Sequence, residues 1–328
     1  MSYKIDNYTI FPSQQVSTSG ALNQIFVAKN DSTGQQSLVQ AIEVKPNEKI
    51  DFTEATRKME FLKRCGFGGY LDIEHYKLTE RAVFVFFKSE GNMRAVTDTM
   101  STGYYLSNLE LARVGMMILD SYVIFENTNM AQQDIDYDQL VVNDDKQFFL
   151  VPPVRWAVDL RVLDKNTINF KPPESLELTS IDPRDLISLH KKFVWKFSII
   201  MYLFSHRNFP FSYSEANSGD QNISESNVKR FAELIKYKCD RNLVTWNPSF
   251  DQFNKVLKKA LVRPLASRIS FKELYMEFSH VYSYYQPSKP QPQNPYNSMA
   301  PFQDINSSSK TADFGGGKDA LPETRQVT

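Results

Sequence analysis

Histidine, cysteine and carboxylate side chains are the first places to look for chemistry in this chain. The four histidines, His75, His190, His206 and His280, have no ligand spacing, and Cys65 and Cys239 form no C-x-x-C pair. Zinc ligation and a disulfide framework therefore have no basis in the sequence, and cysteines so few and so far apart suit a reducing compartment. Carboxylates offer more. Asp134 stands in Met130–Val142, M-A-Q-Q-D-I-D-Y-D-Q-L-V-V, just before a short apolar strand. A carboxylate placed there can carry acid–base or metal chemistry, and the cations and ligands that other segments bring decide which.

Periodicity outlines the elements that would position them. Tyr8 to Lys29 reads as two strands around a turn, and Ser37 to Val44, S-L-V-Q-A-I-E-V, as a strand that carries Glu43, with Lys45 two residues on and on the same strand face. Phe52 to Cys65 carries a helical stripe of Ala55, Met59 and Leu62, with Lys58 beside it. Tyr76 to Leu78 and Ala82 to Phe87 read as a hairpin, which completes a small sheet of five strands before Gly91. Ser107 and Glu110 make a capping box that opens a helix to about Glu126, with Leu111, Val114, Ile118, Leu119 and Tyr122 as its core stripe. The strand Phe148 to Val151 runs into Pro152-Pro153-Val154, where proline sets φ near about −65° and removes the backbone N–H. Ser212 to Asn227 reads as a polar loop. Val228 to Lys238 is an amphipathic helix with Phe231, Leu234 and Ile235 on one side, another helix begins near Ser249, and a second capping box, Ser270 with Glu273, opens the last helix.

The order and spacing of these segments resemble a eukaryotic protein kinase, in a degenerate, pseudokinase-like form, from about Tyr8 to Tyr285. Laid over the catalytic loop H-R-D-[IL]-K-x-x-N, the Met130 stretch puts Asp134 on the catalytic aspartate. Gln133 then replaces the arginine that would pair with an activation-loop phosphate, and Gln139 the metal-binding asparagine. Of the phosphate-covering glycines only Gly20 remains, in T-S-G-A-L-N. Q-A-I-E lies where V-A-I-K belongs, so the resemblance puts Ala41 in the adenine pocket and Glu43 at the phosphate lysine. Lys58 falls at the partnering glutamate, and a Glu43–Lys58 pair of reversed polarity is the expectation, with Lys45 or Lys58 as a substitute cation. Pro152-Pro153-Val154 replace D-F-G and bring no metal ligand. A true D-F-G, Asp313-Phe314-Gly315, sits in the tail without a preceding strand and reads as a chance match.

Structural parts of the family pattern are better kept. Pro172-Pro173-Glu174 resembles A-P-E, Trp195 the tryptophan of D-x-W-S-x-G, and Ser267-Arg268-Ile269-Ser270 the element that supplies the arginine partner of that glutamate. Phe193 replaces the aspartate that would hold the catalytic-loop backbone. The implied fold is α+β and two-lobed, kinase-like, with a small N-lobe antiparallel sheet and one main helix at residues 1–91. A mainly helical C-lobe follows at 92–285, then a disordered Pro/Gln/Ser/Gly-rich tail at 286–328.

Equal numbers of acidic and basic residues, 38 each, leave no global field for nucleic acid or an anionic membrane. No apolar run approaches the length of a bilayer span, so a soluble, cytoplasmic protein is expected. The resemblance implies a pseudokinase that acts by contact with protein partners, through the helix at Val228 to Lys238 or the tail, with no metal and no cofactor. Two alternatives stay open. One is a divergent kinase or other phosphoryl or nucleotidyl transferase, with Asp134 as base and displaced lysines. The other is a regulatory domain with weak, metal-independent ATP binding in a pocket of Gly20, Ala41, Glu43, Lys45, Lys58 and Gln139.

Overall fold

The computed structural model describes residues 2–16, 24–64, 69–101, 103–127, 140–158, 168–176, 186–218 and 222–286. Contacts divide the chain into two compact units, Met1–Gln286 and Pro287–Thr328. The second, with nearly all of the expected tail, lies outside the described residues.

The first unit is α+β. Strands β1 (Tyr3–Ile5), β2 (Tyr8–Gln15), β3 (Gln24–Asn30), β4 (Gln36–Glu43), β5 (Ile73–Leu78) and β6 (Ala82–Lys88) form an antiparallel sheet in the order β1-β2-β3-β4-β6-β5. Helix α1 (Phe52–Arg64) lies between β4 and β5 in the chain, opened by Asp51, whose carboxylate accepts the N–H groups of Thr53 (3.0 Å) and Glu54 (3.1 Å). The sheet has six strands rather than the expected five, because a three-residue edge strand, β1, is too short to show a period of two.

The sheet curls until its edges meet. Asp6, in the turn after β1, reaches across to β5, where His75 Nε2 stands 2.9 Å and Lys77 Nζ 2.6 Å from its carboxylate. Tyr8 stacks on Phe86 at 4.0 Å between centroids inside the curl, in a small core with Ile10, Phe26, Ala28 and Val39. The opposite face packs Leu38, Ile42 and Val44 against Ala55, Met59 and Leu62 of α1. Both faces of β4 are thus covered, and a strand covered on both faces loses the apolar–polar alternation that would reveal its orientation.

The helical part follows a small sheet of β7 (Met93–Ala95), β8 (Leu140–Asn143) and β9 (Phe148–Leu150), in the order β7-β8-β9, with helix α2 (Val96–Ser101) directly after β7. Helix α3 (Asn108–Asn127) starts at the expected box, with the Ser107 N–H on the Glu110 carboxylate (2.8 Å) and the Glu110 N–H on Ser107 Oγ (3.2 Å). Short helices α4 (Val154–Val158) and α5 (Pro173–Leu176) precede the long α6 (Leu186–His206). Val194, Trp195, Phe197, Ile199, Ile200 and Met201 are all buried, so the middle of α6 is covered on every side as the axis of this part. Helices α7 (Tyr213–Ala216), α8 (Glu225–Asp240), α9 (Asp251–Ala260) and α10 (Phe271–Tyr285) pack around it. At Gly115 the crossing of α3 and α10 is so close that an added Cβ would stand 2.3 Å from the Phe278 ring. Among the described residues no helix is long and apolar enough to cross a membrane.

Two expectations for the helical part change. The stretch from Ser212 to Asn227 is partly helical, as α7, and buries Asn217 and Asn227. Their amides serve the backbone: Asn217 Nδ2 donates to the Asn227 carbonyl (3.1 Å) and Asn227 Nδ2 to that of Asn222 (3.0 Å). Polar composition concealed groups that satisfy buried carbonyls. Helix α8, read as starting at Val228, starts at Glu225 under a Ser224 cap, and its apolar side, Phe231, Ala232 and Ile235, is spent on the core.

Candidate functional site

Parity decides where the β4 side chains go. Ile42 and Val44 join the core with α1, whereas Val39, with Ala41 at its margin, joins the core inside the curl. Successive side chains of a strand point to opposite faces, so Glu43 shares the Ala41 side and faces away from α1. The expected Glu43–Lys58 pair is accordingly not formed. Lys58 Nζ instead stands 3.7 Å from Glu54 Oε1, one turn back on its own helix, and Glu43 is exposed. Lys45 is exposed in the turn beyond the strand, where its N–H donates to the Glu48 carboxylate (3.1 Å). Facing α1 at this level is Ile42, 2% exposed, with Gln40 on the same face opposite Ile25 of β3.

The proline segment completes the same core. β9 is tied to the chain after α1 through Leu150 N–H to the Gly69 carbonyl (2.6 Å) and Leu71 N–H to the Leu150 carbonyl (2.9 Å). Gly69 has φ +112, and a Cβ there would stand 2.6 Å from Met117 Cγ, so the close approach depends on glycine. Pro152, Pro153 and Val154 are all buried, and the chain coils at once into α4, with the Val154 N–H on the Pro152 carbonyl (2.8 Å). Val151, Val154, Ala157 and Val158 then pack in one apolar cluster with Ile42, Ala55, Met59 and Val141. Neither α4 nor the inward Ile42 was visible in the residue pattern. The signal for α4 is V-x-x-A-V at helical spacing, too short to stand out.

Phe193 has an aromatic setting. It stacks on Tyr122 at 3.7 Å between centroids and meets the Phe271 ring edge-on at 5.6 Å, joining α6 to α3 and α10. One turn of chemistry away, Arg268 is 1% exposed and fully engaged. Its guanidinium donates to both Glu174 oxygens (2.8 and 3.0 Å) and to the carbonyls of Lys191 (2.9 Å) and Val262 (3.3 Å), and lies 4.8 Å from the centre of the Trp195 ring. The charge is matched by a carboxylate, the N–H groups by carbonyls and the flat face by an indole, which is the environment that a buried guanidinium needs.

Gly20, Gln133, Asp134 and Gln139 lie outside the described residues. Among the described residues no group of three or more His, Cys, Asp or Glu side chains could hold a metal ion.

No protein-family model matches the chain, and no curated protein matches it. The apolar junction of β4, α1 and α4 bears most directly on what the molecule does.

Proposed function

We propose that this chain is a catalytically inactive member of the protein kinase superfamily, a pseudokinase, which works as a protein-interaction or scaffold module. The curled sheet with α1 corresponds to the small lobe of that family and the α6-centred helices to the large one. The Arg268–Glu174 pair supports the correspondence, since it joins the two segments that resemble the family's structural ion pair.

One observation carries the inactive reading: Ile42, Met59 and Val154 share a single apolar cluster. With Ile42 as the β4 residue that faces α1, the strand motif moves back by one residue, to Val39-Gln40-Ala41-Ile42. A buried isoleucine then stands where the family has its phosphate lysine, and Pro152 stands where it has its magnesium aspartate. These residues do not fit a magnesium-bound nucleotide. A single cation–phosphate attraction is worth about 4 kcal/mol at intermediate effective dielectric, while micromolar to millimolar affinity amounts in all to about 4–8 kcal/mol. Loss of the lysine and of the metal ligand therefore removes most of the binding, and an isolated Asp134 is too weak a contributor to restore turnover. A reducing, cytoplasmic setting suits Cys239, whose thiol burial pushes up to about 11, away from the reactive thiolate.

Phosphoryl transfer from radiolabelled ATP to the chain itself and to a generic basic substrate, with magnesium or manganese, tests the reading. Wild type and Asp134→Ala should give the same background. Transfer that depends on Asp134 would make the protein a divergent transferase instead.

A further inference from the structure

At the N-terminal end of α10, away from the junction described above, α3, α6 and α10 enclose a pocket of about 500 Å³ with Val123, Phe271 and Tyr275 among its lining residues. Two apolar side chains stand exposed on its rim, Ile187 at 70% and Met276 at 52%. Its charged lining residues are Lys191 and Lys272, and no carboxylate lines it among the described residues. The acids nearby are occupied: Glu273 is turned back into its box with Ser270, and Asp120 accepts the Tyr275 hydroxyl at 2.7 Å. Lys191 directs its ammonium to the carbonyls of Ala266 and Arg268, and Lys272 is exposed. An apolar floor, an apolar rim and a cationic flank therefore coincide.

From this we infer that the pocket is the docking site for an acidic, amphipathic peptide segment of a protein partner. Charge complementarity selects the occupant: apolar anchors fill the pocket and a carboxylate meets the exposed Lys272. A peptide suits it better than a small carboxylic acid, because the lining runs on from Val123 and Phe271 to the exposed Ile187 and Met276, and a longer ligand covers them together. The inference rests on the interaction-module reading and gives it a surface. It also transfers the role from α8, whose apolar side is buried.

The probe is a phage library of random 12-residue peptides, selected on the full-length chain. Enriched sequences should pair apolar residues with Asp or Glu. The synthesised consensus should bind in fluorescence anisotropy, weaken as salt is raised, and lose at least tenfold in affinity on K272E and on M276E. Both substitutions fall on exposed positions, and a glutamate at position 272 suits the start of a helix, so melting temperatures should stay within a degree or two of wild type. The inference is overturned by a failure to enrich, by enriched peptides without acids, or by binding that K272E and M276E leave intact. Decanoate binding with the same dependence, in place of any peptide, overturns it as well. Failure here with an inert response to nucleotide removes only the docking site, whereas Asp134-dependent transfer removes the reading beneath it.

Discussion

Arg268 and Glu174, 94 residues apart, meet through two N–H···O bonds of 2.8 and 3.0 Å beneath the Trp195 ring. The pair ties the segment that carries α5 to the entry of α10, and the two Arg268 bonds to the Lys191 and Val262 carbonyls extend the tie to α6 and the end of α9.

Removal of one partner from such a site leaves a buried charge and unpaired carbonyls, so Arg268→Ala should cost on the order of 3–5 kcal/mol of unfolding free energy. Arg268→Lys keeps the charge and loses the fork, and should recover only part of this. Denaturant unfolding measures both, and a loss under about 1 kcal/mol for Arg268→Ala would mean that the pair is dispensable.

Ile42 and Glu43 are adjacent in sequence and opposite in setting, so lysine substitutions separate them. Ile42→Lys buries a cation in an apolar cluster and should destabilise by several kcal/mol, whereas Glu43→Lys should change stability by no more than about 0.5 kcal/mol. In the same measurements, Glu43→Ala and Lys58→Ala should add within about 0.5 kcal/mol, since the two groups do not meet. Equal costs for the two lysines would reverse the assigned face of β4.

Much of this frame is readable from residues alone, and the exceptions share physical causes. S-N-L-E and S-F-K-E announce α3 and α10 because capping boxes are local hydrogen-bond patterns. The stripe of Ala55, Met59 and Leu62 announces α1 because one of its faces is dry. β4 gives no such contrast: with Val39 in one core and Ile42 in the other, its register can slip by one in a motif overlay without offending the pattern. Asn217 and Asn227 look like loop residues until their carbonyl partners are located. The pocket beside Lys272 is assembled from three helices distant in sequence, and no linear spacing encodes it.

At Gly115 an alanine has two opposed effects: about 1 kcal/mol gained in helix propensity and a Cβ at 2.3 Å from the Phe278 ring. Phe278 is fully buried and has no room to withdraw, so Gly115→Ala should be a net loss of about 1–3 kcal/mol, read from the denaturation midpoint. A net gain would show slack between α3 and α10.

His206 supplies a pH dependence. Burial holds its imidazole below the ordinary 6.5, and its Nε2 accepts the Asn247 N–H at 2.9 Å, which a proton would abolish. The unfolded chain takes up this proton first as pH falls. The contribution to stability is thus complete above 6.5 and is lost as pH drops from there through the lower folded value. Unfolding free energies at neutral pH and about one to two units lower should differ more for wild type than for His206→Gln, and parallel profiles would remove His206 from the account.

The central claim, that apolar packing of Ile42 and Val154 with α1 excludes a magnesium nucleotide, is tested most directly by the melting temperature of the full chain with ATP, with and without Mg²⁺ or Mn²⁺. The account predicts no metal-dependent shift at millimolar nucleotide. A rise in melting temperature that requires the metal and disappears in Asp134→Ala would contradict it.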